Sequence, residues 1–140
     1  MKVASKTMSF NYLINLYGKG KFAIPPYQRN LVWDSHKKKD LIDSFTSGRN
    51  IGWIVLHLKE NGVYDIIDGQ QRVDTLVNYY LQNSSANELN ELEGLLNIEI
   101  KYEEITDATY LEAHTYYTEL NSGKPLTGGR DKEGVCHARD

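Results

Sequence analysis

The sequence predicts a mixed α/β domain in which a small sheet is flanked by helices. Two β-rich apolar runs, residues 51–58 and 63–67, surround a turn at 60–62 that contains Asn-Gly, a strong hairpin pattern. Directly after the second run, apolar residues recur at helical spacing over residues 70–81. A hairpin that leads straight into a helix is typical of proteins that combine one sheet with packed helices.

The size and composition fit one domain. The chain has 140 residues and a net charge of -3, so it has no overall attraction for nucleic acid. Its single cysteine excludes an internal disulfide and suggests a reducing, cytoplasmic location. No apolar run approaches the roughly 20 residues of a membrane span, so no membrane partner is expected. We expect a domain over residues 1–127 and a disordered or divergent tail over 128–140.

The N-terminal part predicts a strand, a helix and a short extended piece. Residues 1–7 form the strand, and Ser9 caps a helix that ends at Gly18. The predicted inner face of this helix contains Tyr12, Leu13 and Leu16. Residues 21–24 are extended, and the prolines that follow prevent a helix there.

Three more helices and one strand follow from capping residues and periodicity. Asp34 or Ser35 caps a helix with Leu41, Ile42 and Phe45 on its inner stripe. After the helix over residues 70–81, a short helix is predicted near 89–95 and a strand over 98–102. Asp107 is predicted to cap a last helix that ends near Leu120.

The most informative segment is Asp68-Gly69-Gln70-Gln71-Arg72, at the predicted junction of a strand and a helix. A helix N-terminus presents free N–H groups to an anion, and Gly69 allows a ligand to approach the backbone. The Arg72 guanidinium suits phosphate oxygens. Asp68 would bind Mg²⁺, orient a water or simply cap the helix, and the alternative for Arg72 is a solvated side chain.

Two further segments contain candidate ligand contacts. After two rigid prolines, Tyr27, Gln28 and Arg29 are held in a fixed orientation, with Arg29 as a second phosphate contact. Trp33 is expected to be a core anchor. Asn121 and Lys124 are plausible contacts in the third segment, although an ordinary turn after a helix explains it almost as well.

In order and spacing, these three segments resemble those of the ParB-like DGQQR family, which supplies the N-terminal domain of GmrSD-type type IV restriction enzymes. The resemblance extends from about residue 5 to residue 127. It implies a ParB/sulfiredoxin-like fold that binds, and often hydrolyses, a nucleoside triphosphate with Mg²⁺. It also implies a role in defence against phage and against modified foreign DNA. Asp68 to Arg72 match the nucleotide box, Tyr27 to Arg29 the second signature, and Asn121 and Lys124 the third.

The resemblance assigns roles but leaves two functions open. In an NTPase, Arg72 and Arg29 bind phosphates, Asp68 holds Mg²⁺ or positions water, and Gln70 or Gln71 orients that water or donates to an oxyanion. The alternative is a non-catalytic module that binds DNA or a restriction partner protein. Members of the family are usually longer and often contain an HNH nuclease domain, which this sequence lacks. We therefore expect a short member without nuclease activity.

Overall fold

The computed structural model describes residues 1–23, 33–84 and 89–121, and the predicted tail over 128–140 lies outside these ranges. The strands are β1 (Lys2–Ser9), β2 (Phe22–Ala23), β3 (Ile54–Leu58), β4 (Tyr64–Asp68) and β5 (Glu99–Thr106). The helices are α1 (Phe10–Gly18), α2 (Ser35–Thr46), α3 (Gln70–Asn83), α4 (Leu89–Leu95) and α5 (Tyr110–Asn121). The predicted mixed α/β fold is confirmed.

The strands form one five-stranded mixed sheet in the order β1-β5-β3-β4-β2. The predicted hairpin is β3–β4, and its turn uses Gly62 at φ 84°. By contrast, β3 and β5 are parallel, so the chain must cross back over the sheet between them, and α3 and α4 lie in that crossover. Parallel pairing of β3 with β5 places the start of β3 beside the middle of β5.

Most of the core lies on one face of the sheet, where residues of α1, α2 and α3 pack together. Phe10 is fully buried and meets the ring of Phe45 edge-on, with 4.9 Å between the centroids. The predicted inner face of α1 was wrong at Tyr12, which is 51% exposed. Because the helix begins at Phe10, the buried stripe starts there and continues at Leu13 rather than at Tyr12.

The opposite face of the sheet is covered by α5. Val55, Ile67, Ile105 and Ala113 form a second small core there. The prediction that Asp107 caps α5 was wrong. Since β5 continues to Thr106, Asp107 lies in the bend that follows, at φ 52°. The helix start is instead capped by Thr109 and Glu112, whose side chains each accept a hydrogen bond from the other residue's backbone N–H in a capping box.

None of the helices within residues 1–23, 33–84 and 89–121 is long and apolar enough to span a lipid bilayer.

Candidate functional site

The junction between β4 and α3 has the geometry of an anion site. Asp68 ends β4, Gly69 is the N-cap at φ 105°, and α3 runs 14 residues from Gln70. Asp68 is thus one residue too early to be the helix cap that the alternative interpretation expected. Gly69 has no side chain that could accept hydrogen bonds from the first-turn N–H groups. Together with the positive end of the helix dipole, those groups suit a bound anion.

Gly69 is required at this junction for two reasons. Its φ of 105° lies in the left-handed region that L side chains rarely adopt. A Cβ placed there would lie 3.2 Å from Ile54 Cγ1 and 3.3 Å from Arg72 Nη2. The glycine therefore allows β4 to turn sharply into α3 while the side chain of Arg72 passes close to the backbone.

Arg72 anchors the junction from within. Only 9% of the residue is exposed, and Nη1 donates a hydrogen bond to the carbonyl oxygen of Ile51 at 3.0 Å. Nη2 lies 3.5 Å from Asp68 Oδ2. The side chain is therefore neither the solvated arginine of the alternative interpretation nor an open phosphate ligand. A direct phosphate contact would compete with its contact to Asp68.

Gly52 is a site residue that the sequence analysis missed. At φ 88°, a Cβ on Gly52 would lie 2.5 Å from Arg72 Nη1, so only glycine leaves room for the guanidinium. The sequence predicted that β3 begins at residue 51, but it begins at Ile54. This contact also explains the difference. A glycine that interrupts a β-rich run was the available signal, since it often marks close approach of another group to the backbone.

The two glutamines of the segment have different surroundings. Gln71 Oε1 accepts a hydrogen bond from the backbone N–H of Trp33 at 3.2 Å. Gln70 Nε2 donates to Asp74 Oδ2 at 3.1 Å, while Gln70 Oε1 is buried and has no hydrogen-bond partner among the described residues. A buried acceptor without a donor is costly unless a ligand or water supplies one.

A hydrogen bond links Gln71 to Trp33, the described residue that follows the second predicted segment. Tyr27, Gln28 and Arg29 themselves lie outside the described residues. Trp33, four positions after Arg29, packs against the main core, as predicted. Its backbone bond to Gln71 thus ties the end of the second segment to the first turn of α3.

The helix α5, which ends at Asn121, brings Tyr117 near the same junction. Burial raises the pKa of the Tyr117 phenol, the Asp68 carboxylate raises it further, and the Arg72 guanidinium lowers it. Tyr117 therefore lies within electrostatic reach of both side chains. Asn121 is the last residue of α5, one turn beyond Tyr117. Lys124 and the side chain of Asn121 lie outside the described residues.

Asp68 suits Mg²⁺ only as one ligand among several. Within the described part of the chain, no three His, Cys, Asp or Glu residues lie close enough together to hold a metal ion. Mg²⁺ is commonly bound by one or two carboxylates, with substrate phosphates and waters completing the shell. The Asp68 carboxylate, at the strand end beside the first turn of α3, fits that mode.

Comparison with known proteins identifies the family. Residues 11–125 match the family described as GmrSD restriction endonuclease, N-terminal domain. The chain belongs to this family. The matched range includes all three predicted segments, and the family membership expected from their spacing is confirmed.

One solved structure extends the comparison of this GmrSD N-terminal domain. It is the crystal structure of the C-terminally truncated chromosome-partitioning protein ParB from Caulobacter crescentus complexed with CTP-gamma-S. The TM-score is 0.48 at 17% sequence identity, over 88% of this chain and 56% of the ParB chain. The chain thus spans little more than half of that ParB chain. A search of curated proteins finds no match.

Proposed function

We propose that this domain binds a nucleoside triphosphate at the β4–α3 junction and serves a restriction system directed against modified foreign DNA. The observation that supports this most directly is the N-terminus of α3, where glycine takes the place of a capping side chain. Membership of the GmrSD N-terminal domain family supports the setting in a restriction system.

In this proposal the triphosphate binds to the first-turn N–H groups of α3, which offer donors and the positive end of a dipole. Arg72 acts mainly by holding Asp68 and the backbone of Ile51 in place, because its guanidinium contacts both. Arg29 and Lys124, from the second and third segments, supply the positive charge that neutralises the phosphates. Bound Mg²⁺ would neutralise phosphate charge as well, with Asp68 as a ligand.

The amide of Gln70 has a second role in this proposal. Its Oε1 atom, buried and without a donor among the described residues, would accept a hydrogen bond from a nucleotide hydroxyl or from a water beside the phosphates. Gln71 keeps the Trp33 segment against the site. If the domain hydrolyses its ligand, Gln70 is the better placed of the two amides to orient the attacking water.

The proposal is tested by measuring nucleotide binding directly. Each of the four ribonucleoside triphosphates is added with Mg²⁺ or with EDTA. We measure the binding affinity by equilibrium dialysis, and we also measure the melting temperature and phosphate release. We expect at least one nucleotide to bind and to raise the melting temperature, because ligand at 100 times Kd adds about 2.7 kcal/mol to the free energy of unfolding. Binding should weaken in EDTA.

A matched pair of variants localises the binding. Lys124→Ala should lose at least tenfold in affinity. Lys2→Ala removes the same charge, but Lys2 is exposed and pairs in register with Thr106, toward the end of the sheet opposite Asp68, so binding should be unchanged. Binding without phosphate release would favour a non-catalytic module. The absence of binding by all four nucleotides would overturn the proposal.

A further inference from the structure

Within residues 1–23, 33–84 and 89–121, β1 is a long edge strand with one open side. It pairs with β5 over eight residues in an unbroken antiparallel register and is the terminal strand of the sheet. Its residues from Lys2 to Thr7 are all exposed. Strands of this kind present a row of backbone N–H and C=O groups that can pair with another strand.

The register determines which backbone groups point outward. The N–H of Phe10 bonds to the carbonyl of Ile98, directly beyond the ladder, in the same register as the Met8 and Ile100 pair. Hydrogen-bonded pairs alternate along an antiparallel ladder, so the even-numbered residues of β1 bond to β5. The odd-numbered residues therefore direct their N–H and C=O groups to the open side. They are Val3, Ser5 and Thr7.

The usual protection of an edge strand is weak here. Natural edges are often guarded by lysines, prolines or bulges. This strand contains no proline and no register shift, and both of its lysines are paired to acidic residues. Lys6 Nζ lies 2.6 Å from Glu104 Oε1, and Lys2 Nζ lies 3.5 Å from Asp107 Oδ2. Their charges are thus compensated within the same chain.

We propose that the open side of β1 pairs with β1 of a second copy of this chain, antiparallel about a twofold axis at Ser5. In this register Ser5 meets Ser5 of the other copy, and Val3 meets Thr7. All three are outward-facing positions, so each opposing pair exchanges two backbone hydrogen bonds. The two five-stranded sheets then form one continuous sheet.

The strand is self-complementary in this register. Lys6 lies opposite Ala4 of the other copy, and Lys2 lies opposite Met8, so no two like charges are directly opposed. Val3 and Thr7 form a pair of β-branched side chains, which suits adjacent strands. The favourable register follows from the sequence of β1 alone, and this is why a second copy is the partner that the strand fits best.

The test is sedimentation velocity over a wide range of concentrations, with nucleotide absent so that its outcome is independent of the proposed function. We expect the dimer fraction of the wild type to rise with concentration. Ser5→Pro removes one outward N–H and no bond to β5, so this variant should remain monomeric with its melting temperature nearly unchanged. Ser5→Asp, which leaves the backbone intact but opposes two carboxylates at the axis, should also be monomeric.

Crosslinking tests the register itself. In a Cys136→Ser background, Ser5→Cys should form a disulfide dimer under mild oxidation, because directly opposed residues lie about 5.5 Å apart between Cα atoms. Ala4→Cys is the control, since its equivalent in the other copy is two positions out of register, and it should crosslink at least tenfold more slowly. A wild type that stays monomeric, or dimers that persist in both Ser5→Pro and Ser5→Asp, would overturn the proposal.

Discussion

Two acid–base pairs on the same sheet have different surroundings. Glu104 on β5 receives Lys6 Nζ from the adjacent β1 on Oε1 at 2.6 Å and the Tyr64 hydroxyl from β4 on Oε2 at 3.1 Å, so both carboxylate oxygens are bonded by side chains of the same sheet. The Asp68 and Arg72 pair is longer, at 3.5 Å, and lies where β4 ends. One pair is a closed structural contact, whereas the other borders the open N-terminus of a helix.

The difference shows that location in the fold separates a structural pair from a candidate site. A buried carboxylate inside a sheet is reached only by side chains of that sheet, which must satisfy it because burial without a partner is costly. At the end of a strand, space and helix N–H groups are available to a ligand. Gly52 and Gly69, both at positive φ, leave room for the Arg72 guanidinium beside that strand end.

The largest predicted effect comes from Arg72→Ala. Removing the buried guanidinium breaks its contact with the Asp68 carboxylate and its hydrogen bond to the Ile51 carbonyl, so we expect a loss of about 3 kcal/mol in the free energy of unfolding. Urea denaturation measures it. Arg49→Ala, at an exposed position, should change stability by less than about 0.5 kcal/mol. If Arg72→Ala were as stable as the wild type, the guanidinium would be available to ligands after all.

A smaller effect is predicted for Gly52→Ala, for which Gly48→Ala is the control. Both glycines have positive φ, but a Cβ at Gly48 meets nothing within 4 Å, whereas one at Gly52 meets Arg72 Nη1 at 2.5 Å. We expect a loss of about 1 kcal/mol for Gly48→Ala, from backbone strain alone, and about 2 to 3 kcal/mol for Gly52→Ala.

A double-mutant cycle assigns that difference to its cause. In an Arg72→Ala background the extra cost of Gly52→Ala should disappear, and the two glycine variants should lose the same amount. A cost that persists without the guanidinium would show that Gly52 has another role.

The smallest predicted effect concerns the closed pair. Tyr64→Phe removes one hydrogen bond to Glu104 and should cost about 1 kcal/mol at pH 8. Burial, and then the bond to Glu104, raise the pKa of Tyr64 above its ordinary value of 10.0. Folding therefore favours the protonated phenol, and its contribution is complete below pH 10 and lost as the pH rises further.

Denaturation at a series of alkaline pH values checks this sign. Stability above pH 10 should fall more steeply in the wild type than in Tyr64→Phe. Equal slopes would mean that folding does not raise the pKa of Tyr64. The Asp68 and Arg72 pair should be unaffected by this substitution, so nucleotide binding should be retained.

Much of the fold was predictable because its signals are local. The Ser9 and Asp34 caps both accept the first-turn N–H bonds expected of them, and the Asn-Gly turn joins the expected hairpin. Errors occurred where tertiary contacts or the pairing of strands moved the end of an element. β3 starts late because the side chain of Arg72 approaches Gly52, and α5 starts late because β5 continues to Thr106.

The sequence by itself determined the elements, the family and the segment from Asp68 to Arg72, since capping, turn chemistry and motif spacing depend on residues close in the chain. Only the tertiary structure decided what each side chain of that segment does. Arg72 is buried against Ile51 and Asp68, and Gln71 bonds to Trp33, because α3 packs over strands and loops that are distant in sequence. Periodicity reports burial of a face, but it does not identify the partner of a buried charge.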